Sequence, residues 1–369
     1  MAEENKLKEV AKVFFKLGCI AFGGPAAHIA MMDDEIVKKR KWMTQEHFLD
    51  LIGATNLIPG PNSTEMTMHC GHERAGWKGL VVAGATFVFP AVIITLIFAW
   101  LYTEYGQLPS VEPFIYGIKP AVIAIIISAV YRLGKKALKN TELGILGSLT
   151  LIASLIGVNE IIALFATGIL GLILYLIKNS KNTANSFFPL LLVTTNVATL
   201  KVLLIFIKVG ALLYGGGYVL FAFLDAELVS TGLLSRQQLI DAIAVGQFTP
   251  GPVLSTATFI GYQLNGIWGA IAATVGIFLP SFVFVAFLNP IVPKLRKSNT
   301  ISAFLNAVNI AAVAVIMAVC IEMGKETITD WRTALISIFS LIAVFGLKKL
   351  NSSFIVVGGA LLGYLLLLI

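Results

Sequence analysis

Charged side chains are scarce in this chain of 369 residues: 27 are basic and 20 acidic, 13% of the total, about half the share of a soluble protein. Hydrophobic residues make up 57%, more than a compact water-soluble fold of this size can hide. Much of the chain therefore has lipid as its solvent. Cysteine is nearly absent, and Cys19, Cys70 and Cys320 are too few and too far apart for a disulfide framework or a zinc ribbon. Proline and glycine, 13 and 33 residues, stand at ordinary levels, which excludes collagen-like and low-complexity chains. Walker, Rossmann, Ser-His-Asp and paired-carboxylate arrangements are also missing, so no cofactor is expected and neither an ATP-driven pump nor a soluble-type hydrolase has support. The net charge of +7 comes from short basic runs between apolar segments rather than from a face interleaved with aromatics. It reads as membrane topology, not as nucleic-acid binding. Met1 to Glu9 lack the order of a cleavable signal, so the first apolar stretch is expected in the mature protein.

What is present is a series of apolar runs that occurs twice. Runs long enough to cross about 30 Å of hydrocarbon lie near residues 10–32, 79–102, 114–132, 143–157 and 160–177, and again near 200–224, 267–289, 301–321, 333–347 and 353–369. Between the first and second run of each series lies a less hydrophobic stretch, 44–75 and 235–263, interrupted by Pro-Gly-Pro. Such a segment predicts a re-entrant hairpin. The repetition holds at the level of residues. Phe14-Phe15-Lys16-Leu17-Gly18 matches Phe206-Ile207-Lys208-Val209-Gly210, and Phe22-Gly23-Gly24-Pro25 matches Tyr214-Gly215-Gly216-Gly217, at an offset of 192. Asp33 and Glu35 keep that offset to Asp225 and Glu227, while Pro59-Gly60-Pro61 matches Pro250-Gly251-Pro252 at 191 and Pro90 matches Pro280 at 190. This is an internal duplication, which divides the chain into a first repeat (1–181), a connector (182–199) and a second repeat (200–369).

Loop charge gives the relative orientation of the copies, because short cytoplasmic loops collect Lys and Arg. Copy one carries Lys38-Lys39-Arg40-Lys41, then Arg132, Lys135, Lys136 and Lys139, then Lys178 and Lys181, and its alternate loops are bare of basic residues. In copy two the pattern swaps, with Lys294, Arg296, Lys297, Lys348 and Lys349 in the loops that were bare. The fold class expected is thus an all-α polytopic membrane protein with two inverted-topology repeats, each of about five spans plus one broken re-entrant hairpin. Five spans is an odd number, so a tandem duplication inverts itself. This arrangement places the amino terminus outside, against the mild inward preference of Lys6, Lys8 and Lys12.

Inverted repeats with discontinuous helices are the signature of secondary transporters, whose substrate site lies at the midplane where the broken elements meet. A lone Pro-Gly break is a common kink of a membrane helix; paired breaks in inverted copies point to a site. In copy one, Pro59-Gly60-Pro61-Asn62-Ser63-Thr64-Glu65 ends one half-helix and starts another, whose free amides and positive dipole end attract an anion. Pro250-Gly251-Pro252 with Ser255 and Thr256 is the copy-two counterpart, and Asn56 and Gln247 stand at matching places before the breaks. A second constellation joins Lys16 to Gly23, Gly24 and Pro25, and Lys208 to Gly215, Gly216 and Gly217. Each lysine is two turns, about 10 Å, from its first glycine; it either faces a cavity or snorkels. Glu65 is read both as a first-turn carboxylate favoured by the dipole and as a protonatable coupling group. Asp33, Glu35, Asp225 and Glu227 read as interfacial or salt-bridged groups, and His28 as packing or hydrogen bonding near its break. His69-Cys70-Gly71-His72-Glu73 has metal-ligand residue types in one copy only and fits no strong zinc spacing, so no metal is expected.

With those residues in view, the sequence resembles the chromate ion transporters. The likeness rests on Phe14 to Gly18 with Phe22-Gly23-Gly24-Pro25, on Trp42 and Phe48-Leu49-Asp50 leading into Asn56-Leu57-Ile58-Pro59-Gly60-Pro61, and on Gly246-Gln247-Phe248-Thr249-Pro250-Gly251-Pro252, and it spans nearly the whole chain. It implies a polytopic plasma-membrane protein of two homologous halves that exports chromate, with sulfate as a structural analogue. The function expected is secondary transport of a tetrahedral dianion. The alternatives are uptake or exchange of sulfate or another oxyanion, and an anion channel. A homodimer is an expectation by analogy with other broken-helix transporters.

Overall fold

Fourteen α-helices carry the described residues, seven from each copy and in the same order. The computed structural model describes residues 2–21, 25–55, 58–106, 108, 110–178, 198–214, 217–288, 298–347 and 351–368. Copy one comprises α1 (Ala2–Ile20), α2 (Pro25–Met32), α3 (Gln45–Thr55), α4 (Asn62–Tyr105), α5 (Glu112–Ala137), α6 (Thr141–Leu155) and α7 (Glu160–Lys178). Copy two repeats them as α8 (Ala198–Leu212), α9 (Val219–Leu224), α10 (Arg236–Phe248), α11 (Thr256–Leu288), α12 (Asn299–Thr327), α13 (Trp331–Gly346) and α14 (Ser352–Leu367). Local details repeat as well. After α2 and α9 the chain widens into π-helical turns, Asp33–Lys39 and Asp225–Val229. Asn140 caps α6 through Leu143 N at 2.8 Å, and Asp330 caps α13 through Thr333 N at 2.9 Å.

The broken re-entrant hairpins are present where Pro-Gly-Pro places them. In copy one, α3 runs to the break, α4 starts at Asn62, and the chain then reverses at Ala75 (φ −144°) and Gly76 (φ +62°). In α11 the reversal falls at Asn265 (φ −155°) and Gly266 (φ +55°). Gly71 faces Gly79 so closely that a Cβ on either would strike the carbonyl of the other, and Gly261 and Gly269 repeat this contact. Eight residues of continuous helix would hold such glycines about 12 Å apart, so the two arms of each reversal are antiparallel.

The first apolar run of each copy differs from its expected form. Residues 10–32, read as one span, fold back on themselves: Glu9 of α1 bonds Arg40 at 2.8 Å, and Lys16 lies 3.9 Å from Glu35. In copy two, Lys208 meets Glu227 at 2.6 Å. Hydropathy does not separate a span from two apolar half-helices joined at a glycine break, because both satisfy the same length. Each copy therefore has two hairpins followed by four helical passes, an even number, so the odd count expected from five spans does not hold and the inversion rests on loop charge and on the contacts below. The amino-terminal end, with Lys6, Lys8 and Lys12, lies on the same face as Arg40 and Arg74, not on the opposite one; Arg74 bonds Glu9 at 2.7 Å.

The inversion expected from loop charge is visible in the contacts. On the basic face gather the bases of the copy-one hairpins, together with Lys139, which bonds Asn306 near the start of α12 at 2.8 Å, and Lys178, which bonds Glu142 at 2.6 Å. On the opposite face Arg236 holds Asp225 at 3.0 Å and Glu326 at 3.0 Å, and Asn265 bonds Thr199 at 2.6 Å. Of the basic loop residues, Lys181, Lys294, Arg296, Lys297, Lys348 and Lys349 lie outside the described residues, as does the expected connector up to residue 197.

The copies exchange partners. α5 packs on α13 and α14, α12 packs on α6 and α7, and α4 crosses α11. In lipid no hydrophobic force separates helix from solvent, so close packing and small residues hold helices together. Gly117 of α5 meets the backbone at Gly359 and Gly363 of α14. α12 has 72% of its apolar window buried against 28% for α7, so α5 and α12 form the centre and α7 faces lipid. Gly18 and Gly210, two residues after the paired lysines, touch the carbonyls of Phe87 and Ile277. Gly18→Val and Gly210→Val are each expected to lower stability by about 1–3 kcal/mol, measured as earlier thermal unfolding of the purified protein.

Candidate functional site

Four breaks, two from each copy, converge on one buried cavity. Pro25, His28, Pro61 and Ser63 line it from copy one, and Gly217, Tyr218, Pro252, Val253 and Leu254 from copy two. The breaks are cross-braced. Gly60 N donates to Leu213 O at 2.8 Å, and Gly251 N donates to Ala21 O at 2.8 Å. In each bond the Pro-Gly-Pro tip of one copy is tied to the first hairpin of the other, at equivalent positions. This requires unusual backbone: Gly60 has φ +141° and Gly251 φ +92°, values that glycine adopts freely.

Pro61 and Pro252 are the last extended residues before the helix starts, with ψ 98° and 131°. Beyond them Thr64 N and Glu65 N donate to Pro61 O at 2.8 and 3.1 Å, and Ser255 N donates to Pro252 O at 3.0 Å. The first amides of a helix have no acceptor within it, and two such starts from opposite directions bring positive dipole ends to one place. The cavity measures about 20 Å³, room for one water-sized body. A tetrahedral oxyanion carries four oxygens of that size, so the cavity as it stands is too small for such an ion, and binding one requires the hairpins to part.

Around the cavity the copies differ. Glu65 is fully buried, and neither of its carboxylate oxygens has a hydrogen-bond partner among the described residues. A Cβ on Gly60 would fall on Glu65 Oε1 and Ser281 Oγ, so these groups face one another across the copy-one break. At the copy-two break their counterparts are Thr256 and, from α4 of copy one, Ala91. Thr256 Oγ1 donates to Val253 O at 2.7 Å, and Gly251 faces the Ala91 methyl. One break thus holds a buried acid and the other a satisfied hydroxyl.

The remaining expected residues fall as follows. Ser63 lines the cavity, Asn62 and Thr64 flank it in the first turn of α4, and Pro59 and Pro250 precede the glycines of the two tips. Ser255 is buried, with Thr95 Oγ1 donating to it at 3.2 Å, and Gln247 is buried beside Tyr218. Lys16 and Lys208 stand away from the cavity lining in their pairs with Glu35 and Glu227, with side-chain exposures of 60% and 38%. Gly23, Gly24, Asn56, Gly215 and Gly216 lie outside the described residues. His28 bonds at its break as expected, its Nε2 3.0 Å from Ala21 O. Sequence reasoning missed Tyr218, Thr95, Thr249 and Ser281. Tyr218 follows the copy-two glycines directly and was within reach of the motif, whereas Thr95 and Ser281 lie in long apolar helices where a lone hydroxyl carries no signal.

The family model for the chromate transporters matches the chain twice, over residues 8–172 and 200–364. The chain is 31% identical to a probable chromate transport protein of Synechococcus elongatus over 97% of its own length and 95% of the relative's. It is 31% identical to a chromate transport protein of Cupriavidus metallidurans over 97% and 92% of the two lengths, and 30% identical to one from Pseudomonas aeruginosa over 95% and 90%. No solved structure matches.

Proposed function

The chain belongs to the chromate transporter family, and from that premise we propose that it is a secondary transporter that exports chromate, a tetrahedral dianion, by alternating access through the cavity between the two copies. The observation that carries this reading is the convergence of all four breaks on one closed cavity, with reciprocal bonds from Gly60 and Gly251. Of the helix-start amides expected as donors, those of Asn62, Ser63, Val253 and Leu254 precede the intrahelical bonds and supply donors, with the hydroxyls of Ser63, Thr64 and Ser255, whereas Thr64 N, Glu65 N, Ser255 N and Thr256 Oγ1 are held within their own turns. Movement of two negative charges out of a cell across about 100 mV, inside negative, releases roughly 2 × 2.3 kcal/mol, so the field drives export and opposes uptake. Glu65 is the coupling group, as the one buried carboxylate at a break among the described residues.

The test is labelled chromate flux in liposomes at set potential and pH gradient, with sulfate as competitor. Saturable flux inhibited by sulfate is expected. Conductance without saturation would make the protein an anion channel, and sulfate carried in place of chromate would keep the architecture and replace the substrate. Lys16 and Lys208 are the paired positive charges nearest the breaks along α1 and α8. Lys16→Ala and Lys208→Ala are each expected to reduce flux, and undiminished flux in both would leave these lysines as structural ion pairs.

A further inference from the structure

On the face opposite the basic one lies a buried polar cluster that the central cavity does not use. Tyr102 of α4 donates its hydroxyl to Asp241 Oδ2 of α10 at 2.7 Å, and Lys119 Nζ of α5 stands 3.4 Å from Asp241 Oδ1. The Lys119 and Asp241 side chains are only 15% and 5% exposed. Desolvating two ions is costly, and ionisable groups inside a membrane bundle mark substrate or ion pathways.

Hydroxyls lie between the cluster and the cavity. Thr95, two turns before Tyr102 on α4, lies 3.2 Å from Ser255 Oγ and 3.5 Å from Thr249 Oγ1. Ser255 adjoins Leu254, which lines the cavity. A polar track therefore leads from the copy-two break towards Lys119. The other copy does not repeat it: the counterpart of Asp241 is Asp50, which is exposed, and that of Lys119 is Asn309. One face of the protein alone has this cation.

We propose that Lys119 and Tyr102 form a second oxyanion subsite between the cavity and this face, which in the closed state is filled by the carboxylate of Asp241 acting as an internal anion. The inference rests on the transport reading above. A carboxylate and a tetrahedral oxyanion offer the same acceptor oxygens to an ammonium and a phenol hydroxyl, and the dianion has twice the charge. As this half opens, the arriving oxyanion takes the place of Asp241 at Lys119 and Tyr102, and the displaced carboxylate turns to the entering water. No covalent bond is made or broken. By loop charge this is the outer face, so the subsite serves release of the exported ion.

The test compares half-saturating chromate concentrations in right-side-out and everted membrane vesicles, which present opposite faces, for wild type, Asp241→Asn, Lys119→Gln and Tyr102→Phe. Asp241→Asn removes the internal competitor and is expected to lower the half-saturating concentration about tenfold in one vesicle orientation; Lys119→Gln raises it about tenfold in that same orientation, the effect of one charge-assisted contact. Tyr102→Phe leaves the ion pair intact, so it keeps the comparison open where the charge variants fail to fold, and it shifts the value in the direction of Lys119→Gln. Equal shifts in both orientations, or none, would mean a structural ion pair and overturn the proposal. Wild-type vesicles without saturable flux overturn the transport reading and this inference together, whereas saturable wild-type flux with symmetric variants overturns this inference alone.

Discussion

A pH difference of one unit across the membrane is expected to shift the steady-state chromate ratio about tenfold in the wild-type protein, for one coupled proton, and not at all in Glu65→Gln. The argument starts from burial. Glu65 is fully enclosed, its two oxygens have no hydrogen-bond partner among the described residues, and Gly60 and Ser281 adjoin it. A bare carboxylate in such a place costs several kcal/mol, and a proton is the smallest partner that removes the charge. When the hairpins part and water reaches Glu65, the proton leaves. A cycle in which the proton and the anion exchange places would couple inward protons to outward dianions. The sign follows: protons run from the acidic to the alkaline side, so chromate accumulates on the acidic side, which for a cell is the exterior. Co-transport would give the opposite accumulation. Glutamine has the shape of the protonated acid and cannot release a proton, so Glu65→Gln is expected to retain chromate exchange while losing its response to the pH gradient. Steady-state distribution of labelled chromate in liposomes at clamped potential measures this. A variant that follows the gradient as wild type does would remove Glu65 from coupling. Because the copy-two counterpart is Thr256, one proton per cycle is expected rather than two.

Much of this arrangement was legible in residues. The constant offsets between Lys16 and Lys208, Pro59 and Pro250, and Pro90 and Pro280 revealed two copies, and loop charge gave their inversion, since both signals are local in sequence. The position of the Pro-Gly-Pro breaks was legible for the same reason: proline lacks the amide that helix continuation needs. The folding back of the first run was not. Residues 10–32 and 200–224 have the hydropathy of a span, and the pairings of Glu9 with Arg40, Lys16 with Glu35 and Lys208 with Glu227 show the return. That same fold-back draws the lysines to acids on their own hairpins. The cluster of Tyr102, Lys119 and Asp241 was hidden for another reason. Its members come from three helices and both copies, 139 residues separating the first from the last, and neither Tyr102 nor Lys119 belongs to a repeated motif. Pseudo-symmetry predicts what the copies share; the proposed coupling and release steps rest on where they differ, at Glu65 against Thr256 and at Lys119 against Asn309.

The second large effect is expected at the glycines of the crossed tips. Gly60→Val is expected to reduce chromate flux by at least about thirtyfold, and Gly251→Val likewise, through two additive costs: a left-handed or extended positive-φ backbone that a branched residue adopts at about 1–3 kcal/mol, and overpacking of about 1–3 kcal/mol. The overpacking is specific. A Cβ on Gly60 falls on Glu65 and Ser281, and one on Gly251 comes within 2.9 Å of the Ala91 methyl. At Gly251 the Ala91 methyl has no rotamer to adopt, so relief moves the tip and strains the bond to Ala21; at Gly60 relief turns the Glu65 and Ser281 side chains away from one another or moves the tip bonded to Leu213. Gly76 and Gly266 separate the two costs. They too have positive φ, +62° and +55°, but a Cβ on either meets nothing within 4 Å. Gly76→Ala and Gly266→Ala therefore carry backbone strain alone and are expected to unfold somewhat earlier on heating while keeping most of the flux. Flux and thermal unfolding measured side by side on the four variants decide the matter. If Gly60→Val transports as well as Gly76→Ala, the crossed tips are not the moving part of the site, and the positive-φ turns at Gly60 and Gly251 serve only to close the chain. If the tip variants lose flux at a melting temperature matching the turn variants, geometry at the cavity rather than overall stability is what transport requires.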